Sequence, residues 1–224
     1  MRHLAIYDMD KTITARATWT RFLVAAARRR APWRLALLPL AGLAGAGYLL
    51  KLTSRAGLKQ FTHRLMLGGV RSEREMADLA DAFADAELSH GVLEAARTQI
   101  AADRAEGYTL VMATASHGYY ADAIAARLGF DAVVATRARR DAQGNILPMI
   151  EGDNCYGGVK LRMIRDWMAE NRIDRADLHV RAYSDHISDA PLLDYADEGF
   201  AVNAHGPLAA LAAEKGWPLL DWRG

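Results

Sequence analysis

The chain of 224 residues contains a single cysteine, Cys155. One cysteine cannot form an internal disulfide framework, and such scarcity is typical of proteins from reducing compartments. The seven histidines are scattered without the spacing of metal ligands, so we expect no zinc site. The chain has no internal repeat and no low-complexity tract. It enters its first apolar run without a basic and apolar leader, so we expect no signal peptide.

Acidic residues are absent from Lys11 to Ser72, although the whole chain has 27 of them. The net charge of +1 therefore conceals a strong segregation of charge. Such segregation indicates an anionic partner for the basic part of the chain. This stretch carries twelve basic residues, namely Lys11, Arg16, Arg21, Arg28, Arg29, Arg30, Arg34, Lys51, Arg55, Lys59, Arg64 and Arg71.

No uncharged run is long enough to span a bilayer as a helix. Residues 35–50 form an uncharged run of sixteen, whereas a spanning helix needs about 20. Basic flanks, together with Trp33 and Tyr48, favour a segment that lies in a membrane surface. We therefore predict that residues 28–55, the basic segment, make peripheral contact with an anionic membrane. The open alternative is that residues 35–50 form the buried helix of a helical bundle. The leucine-rich centre suits nucleic acid poorly, so we expect no nucleic-acid partner.

The rest of the chain predicts a globular fold. Hydrophobic residues make up 51% and charged residues 25%, which is enough for a core. Apolar strands alternate with amphipathic helices, which predicts the α/β class, as a doubly wound, mostly parallel, Rossmann-like sheet. Residues 137–151, with a glycine and an asparagine near their middle, predict a hairpin or a flap ahead of Lys160. We predict strands near 3–8, 109–114, 131–136, 178–183, 199–203 and 218–222, and helices near 90–106, 118–129, 158–171, 188–196 and 207–215.

A helical insertion follows the first strand. Ser72 is a typical N-cap residue at the start of one of its helices. The insertion has no convincing strand pattern, so we predict a separate helical cap. Its helices are predicted near 15–30, 53–67 and 72–88, with the cap at 15–89 and the α/β core at 1–14 and 90–224.

Polar residues follow the predicted strands, at the edge where open parallel sheets bind ligands. The first two of them are carboxylates one residue apart, which repel each other and so favour a bound cation. A hydroxyl-bearing loop, a lysine and a second pair of carboxylates come later. In chain order these residues are Asp8 and Asp10, then Thr114, Ala115 and Ser116, then Lys160, and finally Asp185 and Asp189.

In this order the motifs resemble those of the haloacid dehalogenase superfamily of phosphotransferases, and the resemblance extends over the whole chain. An insertion directly after the Asp-x-Asp loop resembles the cap of the phosphoserine-phosphatase-like branch. The resemblance implies a phosphoric monoester hydrolase that forms an aspartyl-phosphate intermediate.

The resemblance also implies a role for each motif residue. Asp8 is the nucleophile, and Asp10 protonates the leaving oxygen and later deprotonates water. Lys160 offsets the charge of Asp8 and of the phosphoryl oxygens. Thr114 binds phosphate together with Ala115 and Ser116, although Ser116 could instead cap the next helix.

The implied cofactor is Mg²⁺, because an all-oxygen site of few carboxylates plus water and phosphate suits this ion. Its implied ligands are Asp8, the backbone carbonyl of Asp10, and Asp185. Asp189 lies one helical turn beyond and would hold a metal-bound water or Lys160.

The composition of the cap suggests the substrate. Phosphoserine phosphatases carry a glutamate early in the cap that meets the substrate ammonium, whereas Thr14 to Thr20 contains no acid. Burying an ammonium without a counter-charge is costly. The basic segment instead resembles, in composition, the phosphatidylglycerophosphatase C type of bacterial enzyme. We therefore expect a lipid phosphate monoester, such as phosphatidylglycerol phosphate, and a cytoplasmic protein that is peripheral on the inner face of the cytoplasmic membrane.

Two other functions stay open at this point. One is a soluble phosphatase for a small metabolite, such as phosphoserine. The other is a binding or regulatory protein that keeps the fold without turnover, although every group that the chemistry requires is present. The sequence gives no indication of the oligomeric state.

Overall fold

The computed structural model describes residues 2–223, so Met1 and Gly224, the outermost residues of the predicted core, lie outside the described part. The described residues form a seven-stranded sheet in the order β4-β3-β2-β1-β5-β6-β7. All neighbouring strands pair in parallel except β3 and β4, which are antiparallel. The strands are β1 (Arg2–Tyr7), β2 (Tyr108–His117), β3 (Ala132–Arg140), β4 (Ile146–Glu151), β5 (Leu178–Ser184), β6 (Glu198–Val202) and β7 (Leu219–Leu220).

Helices cover both faces of this sheet and fill the insertion between β1 and β2. Four of them come before residue 91, and short 3₁₀ helices lie at Pro32–Leu37, Arg175–Asp177 and Ile187–Asp189. The α-helices are α1 (Trp19–Arg30), α2 (Leu38–Leu49), α3 (Arg55–Met66), α4 (Glu73–His90), α5 (Glu94–Ala105), α6 (Gly118–Leu128), α7 (Gly158–Glu170), α8 (Ala190–Tyr195) and α9 (Pro207–Lys215).

The central strand β1 shows why the sheet is buried on both faces. Successive side chains of a strand point to opposite faces. Ala5 and Tyr7 pack into one hydrophobic core, while Leu4 and Ile6 pack into the other. An unbroken apolar strand of this kind is typical of a parallel sheet between two helical layers. The predicted fold class is therefore confirmed.

Several predicted boundaries shift in the structure. The helix predicted near 90–106 begins only at Glu94, because the preceding helix runs on to His90. The first cap helix begins at Trp19 rather than near residue 15, since the backbone N–H of Thr18 is used in the loop before it. The hairpin predicted at 137–151 is confirmed by the antiparallel pairing of β3 with β4.

Helix α2 and the 3₁₀ helix before it lie at the surface. No residue from Pro32 to Leu49 is buried, and Leu43 and Leu49 are 69% and 79% exposed. The alternative that residues 35–50 form a buried bundle helix is therefore wrong. The reason is that α2 is apolar around its whole circumference, so a single packing face cannot cover it. Among the described residues, no helix is both long and apolar enough to cross a membrane.

Helix α4 joins the insertion to the core. Ser72 caps it, since its hydroxyl accepts from the backbone N–H of Glu75 while the Glu75 carboxylate accepts from the backbone N–H of Ser72. This capping box fixes the start of the helix where the sequence predicts it. The helix then packs along α6 of the α/β part. The end of the insertion is thus anchored against α6, the helix that follows β2.

Candidate active site

The motif residues meet in a cleft at the carboxyl ends of β1, β2 and β5. The cleft has a volume of about 220 Å³. A larger depression of about 500 Å³ beside α7 and α8 has Asp174 as its one lining carboxylate, so volume alone does not locate the site. The cleft is lined by Asp8, Asp10, Lys11, Ala17, Arg55, Ala115, Tyr156, Lys160, Asp185, His186, Ser188 and Asp189.

A buried ion cluster forms the floor of the cleft. The ammonium of Lys160 donates to Asp8 Oδ1 at 2.7 Å and to Asp189 Oδ2 at 2.5 Å. Ser184 also donates to Asp189 Oδ2, at 2.8 Å. Burial alone would lower the pKa of Lys160. The negative charges of Asp189 and Asp8 have the larger combined effect, so this pKa lies above its ordinary value. The lysine therefore stays charged beside Asp8.

The pKa of Asp8 is subject to opposing effects from burial and from the neighbouring charges. Burial raises its pKa, the charge of Lys160 lowers it, and the nearby Asp189 and Asp185 raise it again. Lys160 occupies one oxygen of the carboxylate. The other oxygen, Oδ2, has no hydrogen-bond partner within residues 2–223. One oxygen is thus held in place while the other is available for chemistry.

Asp10 is held by the beginning of the cap insertion and by the carboxyl end of β2. Its Oδ1 accepts from both the backbone N–H and the hydroxyl of Thr18, each at 2.7 Å. Its Oδ2 accepts from the Ser116 hydroxyl at 2.8 Å. The turn that carries it has Lys11 at a φ of 63°, in the left-handed region. Three donors from two segments thus fix the orientation of this carboxylate.

The predicted phosphate loop is only partly open to the cleft. Ala115 lines the cleft, whereas Thr114 is fully buried and its hydroxyl oxygen accepts from the backbone N–H of Ser116 at 3.0 Å. Ser116 makes no side-chain cap to the next helix, whose N-cap residue is His117. The hydroxyl of Ser116 serves Asp10 instead.

Lys59 of α3 reaches the same loop and was not among the predicted site residues. Its ammonium donates to the carbonyl oxygen of Ala115 and, at 2.8 Å, to Asn154 Oδ1. The Thr136 hydroxyl lies 2.9 and 3.1 Å from the same two acceptors, and its single proton can be donated to either one. Burial lowers the pKa of Lys59 to about 8, against the opposing charge of Asp10. A cap side chain thus connects to the phosphate loop and to the segment before α7.

Arg55, one helical turn before Lys59, is a second cation that α3 supplies. Its guanidinium lies 3.8 Å from the ring centroid of Tyr156, and both residues line the cleft. Its Nε is buried and has no hydrogen-bond partner in the described part of the chain. Arg55 and Lys59 are four residues apart in a segment without acidic residues, so they share one face of a helix. This spacing is the feature of the sequence from which both could have been predicted as site residues.

The donor set fits Mg²⁺. Residues 2–223 contain no group of three or more His, Cys, Asp or Glu side chains arranged to hold a metal by themselves. The predicted Mg²⁺ ligands from the protein are only two carboxylates and one backbone carbonyl. Asp185 makes no side-chain hydrogen bond or ion pair with the described residues, although burial raises its pKa to about 6, against the charge of Lys11. An uncompensated carboxylate beside Asp8 suits a hard cation with oxygen ligands.

The parallel sheet and the carboxylate–lysine cluster at its carboxyl edge define the class of protein, an α/β enzyme with its site where open sheets bind ligands. The chain belongs to the haloacid dehalogenase-like hydrolases, whose family model matches residues 5–194. That span includes every motif residue in the cleft. The family and the enzyme class that the motifs predict are thereby confirmed.

Two curated relatives cover different shares of the chain. The Inhibition of morphological differentiation protein of Streptomyces azureus is 27% identical over 99% of this chain and 79% of its own length. Phosphoserine phosphatase SerB1 of Mycobacterium tuberculosis is 27% identical over 68% of this chain and 49% of its own length. Neither match bears on the resemblance of the basic segment to phosphatidylglycerophosphatase C, which stays a prediction.

Solved structures share the fold over nearly the whole chain. A Bordetella pertussis protein of unknown function superposes with a TM-score of 0.89 at 21% identity, covering 99% of both chains. A phosphoserine phosphatase, solved as an analogue of its phospho-aspartyl intermediate, superposes with a TM-score of 0.62 at 14% identity, covering 98% of this chain and 93% of its own. At such identities the likeness shows the fold alone.

Proposed function

We propose that the protein is a Mg²⁺-dependent phosphomonoesterase that works through an aspartyl-phosphate on Asp8. The observation that carries this proposal is the contact of Lys160 with Asp8 and Asp189, which leaves one oxygen of Asp8 unpaired beside the unpaired carboxylate of Asp185. Similarity to Phosphoserine phosphatase SerB1 of Mycobacterium tuberculosis supports the same reaction class.

The reaction would use the residues of the cleft in two steps. The free oxygen of Asp8 forms a bond to phosphorus while the bond from phosphorus to the substrate oxygen breaks, and Asp10 gives that oxygen a proton. A water then attacks the phosphorus and gives its proton to Asp10, so that phosphate leaves and Asp8 is restored. Lys160 stays charged and offsets the negative charge of the phosphoryl oxygens in both steps.

Asp8, the backbone carbonyl of Asp10 and Asp185 would hold Mg²⁺, and Asp189 would lie outside the ligand set. When bound, the ion neutralises charge on the phosphoryl oxygens. Asp189 instead positions Lys160, since it accepts from that ammonium at 2.5 Å. Ala115, Thr114 and Ser116 would frame the phosphate from β2.

We propose a lipid phosphate monoester as the substrate. The carboxylates that line the cleft are all motif aspartates, so nothing there compensates the ammonium of an amino-acid substrate. Glu87, a buried acid of α4, pairs with Arg21 at 2.7 Å and does not line the cleft. The exposed leucines of α2, in a segment without acidic residues, support a position of the protein at the inner face of the cytoplasmic membrane.

A soluble phosphatase for a small metabolite such as phosphoserine is the second candidate, and the similarity to Phosphoserine phosphatase SerB1 favours it. We also propose the division into a core of 1–14 and 90–224 and a cap of 15–89. Its support is that Thr18, Arg55 and Lys59, all from the insertion, contact the cleft or its loops.

The test is release of phosphate from an aryl phosphate with and without Mg²⁺. We expect Mg²⁺-dependent turnover that Asp8→Asn abolishes, because the amide cannot act as the nucleophile. Asp166→Asn, on the exposed side of α7, is the matched control and should leave the rate unchanged. Turnover of the Asp8→Asn protein at the wild-type rate would rule out the covalent mechanism, and wild-type protein without any turnover would favour the non-catalytic alternative.

A further inference from the structure

A second cavity lies within the insertion, between α1, α2 and α3. Its volume of about 370 Å³ is within the range of ligand pockets. Helix α1 contributes Leu23 to its wall, α2 contributes Gly42 and Gly45, and α3 contributes Leu58 and Met66. We name it the cap groove. Its wall is mostly apolar, so an apolar ligand is the first chemical class to consider.

The polar groups of the cap groove are already paired. The indole N–H of Trp19 donates to the hydroxyl of Thr62 at 3.2 Å. That hydroxyl donates in turn to the carbonyl of Leu58, at 2.8 Å. The remaining polar side chain of the wall, Thr20, belongs to an exposed residue. A polar ligand would therefore find few hydrogen-bond partners inside the groove. A hydrocarbon chain could be buried there without leaving any polar group of the wall unpaired.

Two segments run from the cap groove to the catalytic cleft. Ala17 lines the cleft and Trp19 lines the groove, so their Cα atoms are at most about 7.6 Å apart. On α3, Leu58 faces the groove while its neighbour Lys59 contacts the loop of Ala115. A ligand with a phosphate at one end and a chain at the other would thus meet both sites on the same two segments.

The surroundings of the groove match a lipid rather than a soluble apolar molecule. Helix α2, which forms one wall, exposes Leu43 and Leu49 by 69% and 79%. Helix α1, which forms another wall, ends in the exposed Arg28, Arg29 and Arg30. Arg28 and Arg29 face α4 rather than the groove, and Arg30 pairs with Asp78. Helix α2 itself, however, lies between Arg34 and Lys51 in a segment without acidic residues. An exposed apolar helix with basic flanks is complementary to the acyl region and the anionic head groups of a membrane.

We propose that the cap groove binds one acyl chain of a lipid whose phosphate monoester occupies the catalytic cleft. The proposal rests on the phosphatase function proposed above and names its substrate class. It assigns substrate selection to α2, the helix that carries no catalytic group.

Two glycines make the proposal testable without disturbing the fold. A Cβ added at Gly42 or Gly45 would meet no atom within 4 Å, so a side chain can start there without a clash at its first carbon. Leucine also favours a helix more than glycine does. Gly47 lies on the same helix, has the same open surroundings and does not line the groove. Gly47→Leu is therefore a matched control.

The experiment compares a dioleoyl lipid phosphate monoester in detergent micelles with an aryl phosphate. Gly42→Leu and Gly45→Leu should lower kcat/KM for the lipid by about tenfold or more, because several methylenes lose their place in the groove. Both variants should keep the wild-type rate on the aryl phosphate, and Gly47→Leu should match the wild type on both substrates. Equal loss on both substrates, no loss on the lipid, or a wild-type protein that hydrolyses the aryl phosphate but not the lipid would overturn the proposal.

A binding measurement separates this proposal from the catalytic one. The Asp8→Asn protein should bind the dioleoyl lipid phosphate in micelles, and adding Gly42→Leu should raise the Kd by about tenfold. One outcome is that the Asp8→Asn protein binds the lipid and Gly42→Leu weakens this binding, although the wild-type protein hydrolyses no phosphate ester. That outcome supports lipid binding in the groove and excludes the phosphatase function. If the aryl phosphate is hydrolysed but Gly42→Leu changes neither Kd nor kcat/KM, the groove fails and the phosphatase function stands.

Discussion

Lys59 is the residue that most directly ties the insertion to the catalytic machinery. Its ammonium is almost completely buried and contacts the carbonyl of Ala115 and the side chain of Asn154. A cation in this place draws the phosphate loop, the segment before α7 and helix α3 together. We therefore regard it as a positioning residue for the loop that would bind phosphate.

Replacing Lys59 by Met should lower kcat/KM by about 10- to 100-fold, because a charge-assisted hydrogen bond contributes about 1.5–3 kcal/mol. Since burial lowers the pKa of Lys59 to about 8, the wild-type rate should fall above that pH as the ammonium loses its proton. The pH–rate profile of Lys59→Met should lack this limb, and Lys59→Arg should move it to higher pH. An unchanged limb in both variants would exclude the positioning role.

His63 and His117 are buried without adequate partners. Both are fully inaccessible, and both ring nitrogens of His117 and Nε2 of His63 lack a hydrogen bond within the described residues. His117 stacks on Tyr119 at 4.9 Å between ring centroids. Burial lowers the pKa of His63 to about 4, with a smaller contribution from the charge of Arg71. The pair should therefore be neutral in the folded protein and should make it sensitive to acid.

The sign of this effect follows from proton binding. Between about pH 6.5 and pH 4 the unfolded chain binds a proton at residue 63 that the folded protein does not, so the free energy of unfolding falls as the pH falls. The loss at pH 5 should be about 2 kcal/mol from this residue. Urea unfolding of His63→Leu should show a correspondingly smaller loss from pH 7 to pH 5, and the exposed His90→Gln should behave as the wild type. An acid sensitivity that His63→Leu leaves unchanged would contradict the account.

At the scale of elements, the strands were more predictable than the helices of the insertion. Strand β1 is apolar at every buried position because both faces of the sheet are covered, and this pattern is visible in the sequence. Helix α2 has no polar face and contains Gly42, Gly45 and Gly47, so neither periodicity nor propensity predicts it. Its exposure depends on which neighbours pack beside it, and the sequence does not specify those.

The end of α1 should carry much of the electrostatic attraction to an anionic membrane. Replacing Arg28, Arg29 and Arg30 by Gln should lower partitioning onto vesicles with anionic lipid by about 100-fold, since each basic residue near such a surface contributes about 1 kcal/mol. Raising the salt concentration should weaken the binding of the wild type without abolishing it, because the exposed leucines of α2 remain. Vesicle flotation is the measurement.

A charge-matched variant controls this prediction. Arg162, Arg165 and Arg172 lie exposed on and after α7, away from the insertion. Their replacement by Gln removes the same charge and should leave flotation nearly unchanged. Equal loss in both triple variants would indicate a non-specific effect of net charge. Wild-type protein that never floats with the vesicles would make a soluble phosphate ester the better substrate.

For the whole molecule, the sequence predicted which residues share the cleft better than it predicted their contacts. Asp8, Asp10, Lys160 and Asp185 lie together because parallel strands end at one edge of the sheet, which the order of motifs already implies. The pairing of Asp10 with Thr18 joins the motif turn to the start of the insertion, and that of Lys59 with Ala115 joins two segments that are 56 residues apart in the chain. Such pairings depend on how the insertion folds over the sheet, for which the sequence offers no local signal.

The central claim is that one Asp8-dependent site hydrolyses lipid phosphate monoesters, with Mg²⁺ as its cofactor. The most direct test is kcat/KM for a dioleoyl lipid phosphate monoester and for phosphoserine, measured side by side with Mg²⁺ for the wild-type and Asp8→Asn proteins. The account predicts at least about a tenfold preference for the lipid in the wild type, as expected from burial of an acyl chain, and no turnover in the variant. A preference for phosphoserine, or a variant as active as the wild type, would contradict it.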